Sequence, residues 1–489
     1  MSRERACHHC GDLVDFRLWI VRRTEPASKN QQRRNYLKEN PRYSALYILN
    51  NLDKGKLTLD RILDDASKKT DCLSKKDRAL FNALVYGVLR WRGRIDWVIV
   101  HFSKTPINKI DPEVLNILRL GIFQIIYLDR IPDSAAVDTS VEISKTFAPK
   151  WVVGFVNGLL RSASRKYKEI PSPDFGKEPV WSLTVTKSFP GWLIKRWVAR
   201  FGPEETSHLC DAINTIPPIT IRTNSLKTGR DELTELLKSD ADSVYSTEVS
   251  PDGLKIYSSN VPVPEIKGFR DGFFQVQDEA AQIVTMILNP KPGEKVLDAC
   301  AGLGVKTGHI AQNMKNHGEI IAMDVSEEKL LLLESEMNRL GILNVKTCVH
   351  DISTLPIDKN INGLFDRILV DAPCSGLGVL RRNPDAKWSI QKKDLNRYNE
   401  RQVLFLTNLS KVLKPHGALV YSVCSMEFEE NEKVIHTFLN NHPEFAIEKK
   451  PGGIPDGLGS LFSEDGFIKT YPHKNDMDGF FAVRLKRLK

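Results

Sequence analysis

The sequence predicts a multidomain chain with an all-α domain, a small α+β insert and an α/β domain built on a doubly wound, Rossmann-like sheet. Apolar residues recur at helical spacing through residues 41–167, and short strand and helix patterns mix over residues 178–270. From residue 271 to 489 strands and helices alternate, which is typical of a parallel sheet covered by helices. At 489 residues the chain is also too long for a single core.

Composition and charge restrict the class of protein. The formal net charge is +9, which favours a polyanionic partner such as nucleic acid, although solvated surface lysines also produce such a charge. Eight cysteines without paired spacing do not form a disulfide framework and suit a reducing cytoplasm. No apolar run is long enough for a signal peptide or a membrane span. We therefore expect a cytoplasmic protein with no membrane association.

Residues 1–40 carry nine Lys/Arg against five Asp/Glu and show no sustained apolar period, so a loosely ordered basic extension is expected. The run Cys7-His8-His9-Cys10 has the composition of half a zinc site. Because no second ligand pair follows at finger spacing, an exposed tail without metal is the expectation.

The all-α domain, residues 41–167, is expected to hold five to seven helices. Ser74 is placed as the N-cap of one of them, with Asp77 three residues on. At the end of that helix Arg90 and Arg92 alternate with tryptophans, which favours an edge that binds RNA. A solvated helix end with core tryptophans explains the same residues equally well.

The insert, residues 178–270, is expected to contain a strand over 218–223 and a helix over 229–239. Arg222 and Lys227 lie at the edge of that strand and can face a polyanion, with a solvated surface as the default interpretation.

Five strands are predicted in the last domain, and ligands of such sheets bind beyond the carboxyl ends of the strands. The predicted strands are Lys295–Ala299, Glu319–Asp324, Val345–His350, Arg367–Asp371 and Ala418–Cys424, with helices at Glu327–Leu340 and Asp394–Val412 among those between them.

The first of these strands leads into the segment CAGLGVKT, residues 300–307. Gly302 and Gly304 allow a tight turn and a close approach of the backbone to a ligand. Thr307 stands where a dinucleotide-binding motif has its third glycine, and Val305 stands where a Walker A loop needs glycine before Lys-Thr. Binding of a dinucleotide or a nucleoside triphosphate is therefore disfavoured.

Two acids end the next two strands. Asp324 follows Gly302 by 22 residues, a spacing that suits hydrogen bonds to ribose hydroxyls, and Asp351 can reach an adenine amino group. Each acid alone is equally well explained as a helix cap or a surface turn. Together with the glycine turn, they favour an adenosine ligand without phosphates, of which S-adenosylmethionine is the commonest.

A cysteine follows each of the last two strands, in Asp371-Ala372-Pro373-Cys374 and in Tyr421-Ser422-Val423-Cys424. These strands are usually neighbours about 4.8 Å apart, so both thiols are expected to face one pocket. A single buried cysteine is more often a core residue. A thiol, an acid and a methyl donor suit methylation at carbon 5 of a pyrimidine, in which a thiolate first adds to carbon 6.

The segments DAPCSG (371–376), GVLRRNPDAKW (378–388) and YSVCSMEFEENE (421–432) resemble the paired cysteine motifs of the Sun family of RNA cytosine-5 methyltransferases. The helical domain, with LSKKDRALFNALVYGVLRW (73–91), is similar to the NusB-type RNA-binding module. That fusion is typical of the Sun/RsmB group, which modifies small-subunit ribosomal RNA. The resemblance covers roughly residues 41–488 and implies a methyltransferase domain over residues 271–489.

The resemblance also implies roles for individual residues. Cys424 would be the nucleophile that attacks carbon 6, Cys374 would assist release of the product, Asp371 would contact the target cytosine, and Lys306 would lie near the base and the cofactor. S-Adenosylmethionine would be held by Cys300, Ala301, Gly302, Leu303, Gly304, Val305, Lys306, Asp324, Asp351 and Asp371. Arg381 and Arg382 would contact ribosomal RNA. Apart from the resemblance, Arg90 and Arg92 are predicted RNA contacts from their helix end, and we expect a monomer without metal.

The cofactor loop departs from the usual family sequence CAAPGGKT. Leu303 replaces proline, and Val305 replaces a glycine whose bare backbone would approach the cofactor, so its side chain either crowds the ligand or points into the sheet. An active enzyme that makes 5-methylcytosine in 16S ribosomal RNA is the main hypothesis. A non-catalytic RNA-binding ribosome-assembly factor with an impaired loop is the alternative. An N-methyltransferase is disfavoured because those enzymes use an Asp/Asn-Pro-Pro-aromatic turn where this chain has Asp-Ala-Pro-Cys.

Overall fold

The computed structural model describes residues 40–55, 57–70, 73–354 and 364–489. The chain divides into two compact units, one ending at Pro203 and the other beginning at Glu204. The predicted basic extension, apart from Asn40, lies outside the described residues, and so does the possible metal half-site at Cys7–Cys10.

The first unit is all-helical in its described residues. Its helices are α1 (Pro41–Leu52), α2 (Leu59–Thr70), α3 (Lys75–Phe102), α4 (Pro112–Tyr127), α5 (Asp133–Phe147), α6 (Lys150–Lys166), α7 (Pro179–Thr186) and α8 (Gly191–Phe201). One continuous apolar core joins α1 to α6. Ser74 caps α3 as predicted, because its hydroxyl accepts from the Asp77 amide at 3.2 Å. Asp111 caps α4 in the same way, with the Glu113 amide at 2.9 Å.

The helices α7 and α8 differ from the sequence-based assignment, which placed residues 178–203 in the α+β insert. They belong to the helical unit, where α7 packs on α3. The hydroxyl of Ser188, between α7 and α8, accepts from the Gly93 amide at 2.8 Å.

The second unit begins with a four-stranded antiparallel sheet in the order β2-β3-β1-β4. Its elements are α9 (Pro203–Asn214), β1 (Ile219–Thr223), α10 (Arg230–Leu237), β2 (Ala241–Ser246), β3 (Gly253–Ser259) and β4 (Phe274–Val276). Alternation of residues along β1 sends Ile221 into the core under α10 and turns Thr220 and Arg222 to the opposite face. The sheet therefore extends past residue 270, because β4 lies beyond the predicted boundary.

The rest of this unit is a large twisted sheet with helices on both faces. Its elements are α11 (Glu279–Leu288), β5 (Lys295–Asp298), α12 (Val305–Asn313), β6 (Glu319–Asp324), α13 (Glu327–Leu340), β7 (Val345–Val349), β8 (Phe365–Asp371), α14 (Ala386–Ser389), α15 (Asp394–Leu409), β9 (Leu413–Val423), α16 (Glu432–Asn441), β10 (Phe445–Ile447), β11 (Phe467–Lys469), α17 (Pro472–Asn475) and β12 (Phe481–Arg487). The strand order is β10-β12-β9-β8-β5-β6-β7, with β11 paired to β12. Separate apolar clusters cover its two faces.

The five predicted strands form the parallel part of this sheet. The sheet as a whole is mixed, however, because β12 runs antiparallel to β9 and also pairs with β10 and β11. These three C-terminal strands, which were not predicted, cover the edge that β9 would otherwise expose. The strand order reverses between β5 and β8, so the carboxyl ends of those strands flank the crevice where ligands of this fold bind.

Candidate active site

A cavity of about 430 Å³ opens at the carboxyl ends of β5 and β8. Its volume lies within the usual range for small-molecule sites. Seven of the ten residues that were predicted to bind a cofactor line it, namely Cys300, Ala301, Gly302, Leu303, Val305, Lys306 and Asp371. The first turn of α12 and the end of β8 thus contribute to one site.

The loop between β5 and α12 turns through two glycines with left-handed backbone conformations. Gly302 has φ of +55° and Gly304 has φ of +81°. A Cβ atom at Gly304 would lie 2.5 Å from Cγ of Leu333 on α13, so only glycine allows this close packing. The Gly302 amide donates to Oδ2 of Asp324 at 3.0 Å, which joins the loop to the end of β6.

Two acids predicted to bind the cofactor lie outside the cavity lining. Asp324 holds the loop at Gly302 and accepts at its other oxygen from the Ser326 amide at 2.9 Å. Asp351 is exposed beyond β7, where it accepts from the Ser353 amide at 2.9 Å. Direct contact of either acid with a ligand stays a prediction.

Val305 starts α12 and lies at the wall of the cavity. Its carbonyl oxygen accepts from Nη1 of Arg222 at 3.1 Å. Arg222 is 1% exposed, and its guanidinium also donates to the side chains of Gln275, Gln277 and Gln312. The interpretation of Arg222 as a residue facing a polyanion is therefore wrong. The side chain lies between the small sheet and the cofactor loop, where burial lowers its pKa to about 9.

Lys306 and Asp371 form an ion pair inside the cavity. Nζ of Lys306 lies 2.5 Å from Oδ2 of Asp371, whose Oδ1 accepts from the Ser422 hydroxyl at 2.8 Å. Burial alone would lower the pKa of Lys306, but the Asp371 carboxylate reverses this effect, and the pKa is raised. Lys306 therefore stays charged beside a carboxylate that is fixed at both of its oxygens.

The thiols of Cys374 and Cys424 lie side by side. Their Sγ atoms are 3.1 Å apart, as expected from the parallel pairing of β8 with β9. The hydrogen bond with Cys424, followed by burial, raises the pKa of the Cys374 thiol well above its ordinary value. Cys374 therefore keeps its proton at neutral pH, and either sulfur can be the donor in the hydrogen bond between them.

Asp298 is a residue of the cavity that sequence analysis did not select. It ends β5, it is 1% exposed, and its Oδ2 accepts from the Thr307 hydroxyl at 2.7 Å. Oδ1 has no hydrogen-bond partner, and burial raises the pKa of this carboxyl to about 7. A buried acceptor without a partner suits an ammonium group on a bound ligand. The position of Asp298, at the end of a strand and immediately before the glycine loop, was the sequence feature that could have identified it as a site residue.

The two arginines predicted to contact RNA beside the site differ in accessibility. The Arg381 side chain is 3% exposed, and its Nε donates to Oδ1 of Asp478 at 2.7 Å. It is not available for RNA in this structure, which contradicts the predicted RNA contact. Arg381 instead holds the loop after β8 through this hydrogen bond. Arg382 is 28% exposed and lines the cavity, although Asp278 and Asp478 each accept from it at 2.7 Å.

A similar difference separates the two arginines of the helical unit. Arg90 is buried at 7% exposure, so a direct RNA contact is contradicted in this conformation. Arg92 is partly exposed and donates to Asp53 at 3.2 Å. Trp91 stacks on Tyr127 with ring centroids 4.9 Å apart, so this tryptophan packs within the unit as the alternative interpretation expected.

The described ranges contain neither a membrane-spanning helix nor a cluster of metal-ligating side chains. No helix within them combines the length and the apolar character that crossing a membrane requires. Within the same ranges, no group of three or more His, Cys, Asp or Glu side chains is arranged to hold a metal ion.

Three family models match the chain. The model described as 16S rRNA methyltransferase RsmB/F matches residues 285–486, the NusB family matches residues 39–165, and the ferredoxin-like domain of RsmF/B-like methyltransferases matches residues 189–263. The last two confirm the NusB-like character of the helical domain and the presence of a small sheet domain.

Similar proteins span nearly the whole chain. A probable ribosomal RNA small subunit methyltransferase B of Bacillus subtilis is 36% identical over 91% of this chain and 98% of its own length. The ribosomal RNA small subunit methyltransferase B of Salmonella heidelberg is 32% identical over 88% and 94%, respectively. The crystal structure of PH0851 matches 95% of this chain and all of its own, with a TM-score of 0.74 at 28% identity. The structure of NSun6 from Pyrococcus horikoshii with SFG matches 62% and 99%, with a TM-score of 0.54 at 25% identity.

Proposed function

The chain belongs to the ribosomal RNA small subunit methyltransferase B family and is an RNA methyltransferase, and from this premise we propose that it makes 5-methylcytosine in 16S ribosomal RNA through a covalent Cys424 adduct. The observation that carries the proposal is the pair of thiols 3.1 Å apart in the loops after β8 and β9, since β8 ends in Asp371, whose ion pair with Lys306 lies in the cavity. Methylation at carbon 5 needs a nucleophile for carbon 6 and a group that stabilises charge on the ring.

The cavity residues fit S-adenosylmethionine. The unpartnered Oδ1 of Asp298 would accept from the ammonium of its methionine portion, and the backbone at Gly302 and Gly304 would approach the ligand closely. Asp324 and Asp351 would bind the ribose and the adenine. When bound, this cofactor supplies an electrophilic methyl group. Val305 lies at the wall of the cavity, and the volume of about 430 Å³ shows that the cavity is not filled.

In the proposed reaction the Cys424 thiolate forms a bond to carbon 6 of a cytosine that is unpaired or flipped out of its helix. The electron pair moves to carbon 5, which would take the methyl group as the bond between that group and the sulfonium sulfur of the methyl donor breaks and leaves a neutral thioether. A base would then take the carbon 5 proton, and cleavage of the bond between carbon 6 and the Cys424 sulfur would restore the aromatic ring and release the thiolate. Asp371, fixed by Lys306 and Ser422, would stabilise charge at N3 and N4 of the base. The Cys374 thiol would support the sulfur of Cys424 when it leaves.

Arg382 is the candidate RNA contact beside the cavity. It is the more exposed of the two arginines after β8, and it lines the cavity close to the proposed base contact Asp371. Arg92 is the corresponding candidate on the helical unit. Ribosomal RNA of the small subunit would be the partner.

The experiment combines the purified protein with S-adenosylmethionine and unmodified 16S ribosomal RNA, followed by nucleoside mass spectrometry and bisulfite mapping. We expect 5-methylcytidine at a defined position. Methyl transfer to an exocyclic nitrogen would overturn the proposed chemistry. Calorimetry that detects no S-adenosylmethionine binding would favour the non-catalytic assembly factor.

A further inference from the structure

One buried carboxylate binds both residues that directly follow the two cysteines. Glu430 accepts at Oε1 from the Ser375 amide at 2.8 Å and at Oε2 from the Ser375 hydroxyl at 2.5 Å. The same Oε2 accepts from the Ser425 hydroxyl at 2.6 Å. Because Ser375 follows Cys374 and Ser425 follows Cys424, the carboxylate joins the two cysteine loops one residue beyond the sulfur pair.

Glu430 is itself fixed from two other elements. The Tyr421 hydroxyl of β9 donates to the Glu430 carbonyl oxygen at 2.6 Å. Nε2 of Gln402 on α15 donates to the carbonyl oxygen of Pro373 at 3.1 Å and reaches Oε1 of Glu430 at 3.4 Å. The carboxylate thus has a defined position relative to β9 and to the loop that carries Cys374.

The electrostatics of Glu430 indicate more than a packing role. The residue is 0% exposed, and burial raises its pKa, while hydrogen bonds from Ser375 and Ser425 oppose that effect. The donors directed at the carboxylate are hydroxyl and amide groups of these serines and of Gln402. An acid buried among neutral groups is costly compared with an apolar residue of similar size. The contacts of Glu430 suggest what offsets this cost: the carboxylate fixes the positions of the two adjoining thiols.

We propose that Glu430 is a positioning residue that clamps the loops after Cys374 and Cys424 and thereby holds the two sulfur atoms in hydrogen-bond contact. This inference rests on the proposed function, because it assumes that Cys424 attacks carbon 6 and that Cys374 supports it. The Ser375 and Ser425 hydroxyl oxygens lie 3.3 Å apart, and the paired sulfurs lie 3.1 Å apart. By holding the two serine hydroxyls together, the clamp therefore also sets the distance between the two sulfur atoms.

Glu430→Gln tests the clamp with little change in volume. An amide offers a single acceptor oxygen and turns its NH2 group toward donors, and the Ser375 backbone N–H cannot rotate away. We expect kcat for rRNA methylation and the rate of adduct formation on 5-fluorocytidine RNA to fall together by roughly 10- to 100-fold, the scale of a small misplacement. KM for RNA and the S-adenosylmethionine dissociation constant should stay within about twofold of wild type.

Ser425→Ala supplies a milder variant and a double-mutant cycle. It removes one of the donors to Glu430, so it should reduce kcat less than Glu430→Gln does. In the Glu430→Gln background it should cause little further loss, because the two changes break one unit. Exposed Glu400 on α15 provides the control, since Glu400→Gln removes the same charge outside the cluster and should leave kcat unchanged.

Three results would overturn the clamp: kcat of Glu430→Gln within about twofold of wild type, a parallel loss of cofactor affinity, or additive losses in the double mutant. Failure of the proposed function itself looks different. In that case wild type would form no adduct on 5-fluorocytidine RNA, or Cys424→Ala would form one.

Discussion

The sulfur of Cys374 lies 3.1 Å from the sulfur of Cys424, although 50 residues separate the two in sequence. Parallel pairing of β8 with β9 brings them together, with Asp371 opposite Ser422 in register just before the two loops. The hydrogen bond with Cys424, followed by burial, raises the pKa of the Cys374 thiol, which disfavours Cys374 as the attacking thiolate. This direction supports the assignment of Cys424 as the nucleophile.

The assignment of Cys424 as the nucleophile can be tested by trapping the covalent adduct. With 5-fluorocytidine RNA and S-adenosylmethionine, wild type should form an adduct that survives denaturation, because fluorine at carbon 5 prevents the elimination that frees the thiolate. Cys424→Ala should form none, as seen by gel shift. An adduct that persists in this variant would contradict the assignment of Cys424 and would move the nucleophile to Cys374.

Cys374→Ala leads to the opposite expectation. Without the thiol that supports the departing sulfur, attack should proceed and release should fail, so that a covalent complex accumulates on ordinary RNA. Denaturing gels after timed quenching measure the accumulated fraction. Clean turnover at the wild-type rate would remove the role in release.

Asp371→Asn tests the ion pair with Lys306. The substitution removes the charge that keeps the pKa of Lys306 raised and weakens stabilisation of the base. We expect kcat/KM for rRNA to fall roughly 100-fold, a typical loss for one electrostatic contact in an active site. Asp366→Asn on the same strand, where Asp366 pairs with Lys414, is the matched control. Equal kinetics of Asp371→Asn and Asp366→Asn would contradict the proposed base contact.

Sequence patterns predicted the parallel strands and the cysteine pair because these depend on local periodicity and on a known rule of strand adjacency. Strand β6 and helix α13 have the predicted bounds, for instance. The burial of Arg222 and Arg381 was missed because their partners, Gln312 and Asp478, lie about 90 or more residues away in sequence. The clamp at Glu430 was missed for the same reason, since Ser375 reaches it only after β8 and β9 have paired.

Cofactor binding should depend on pH through Asp298. Burial raises the pKa of this carboxyl from 3.8 to about 7, so its folded-state proton is lost as pH rises through neutrality. An ionised Asp298 attracts the cofactor ammonium, and affinity should therefore increase several-fold between about pH 6 and pH 7.5. Protein stability should change in the opposite direction, decreasing as pH rises from about 4 to about 7, because the folded state holds a proton that the unfolded state releases.

Asp298→Asn checks the effect on cofactor binding. The neutral amide should remove this pH dependence of the dissociation constant in calorimetry and should weaken binding above neutral pH. Unchanged pH dependence in the variant would assign the effect to another group.

Arg222 links the small sheet to the cofactor loop, and its replacement should therefore change both stability and binding. Its guanidinium donates to the Val305 carbonyl at 3.1 Å and to Gln275 and Gln312 at 2.9 and 3.1 Å. Lysine cannot reproduce that fork of donors, so Arg222→Lys leaves buried acceptors unsatisfied and should lower the free energy of unfolding by about 2–4 kcal/mol.

The same variant should bind S-adenosylmethionine more weakly, because Val305 begins α12 at the cavity wall and loses the donor that holds its carbonyl. Lys227→Met is the control. Lys227 lies just after β1, the strand that carries Arg222, but its Nζ donates to the carbonyl oxygens of Asp271 and Arg339, away from the loop. Urea unfolding should show a smaller loss for Lys227→Met, and calorimetry should show unchanged cofactor affinity. Equal affinities in the two variants would mean that Arg222 stabilises the fold without shaping the cofactor loop.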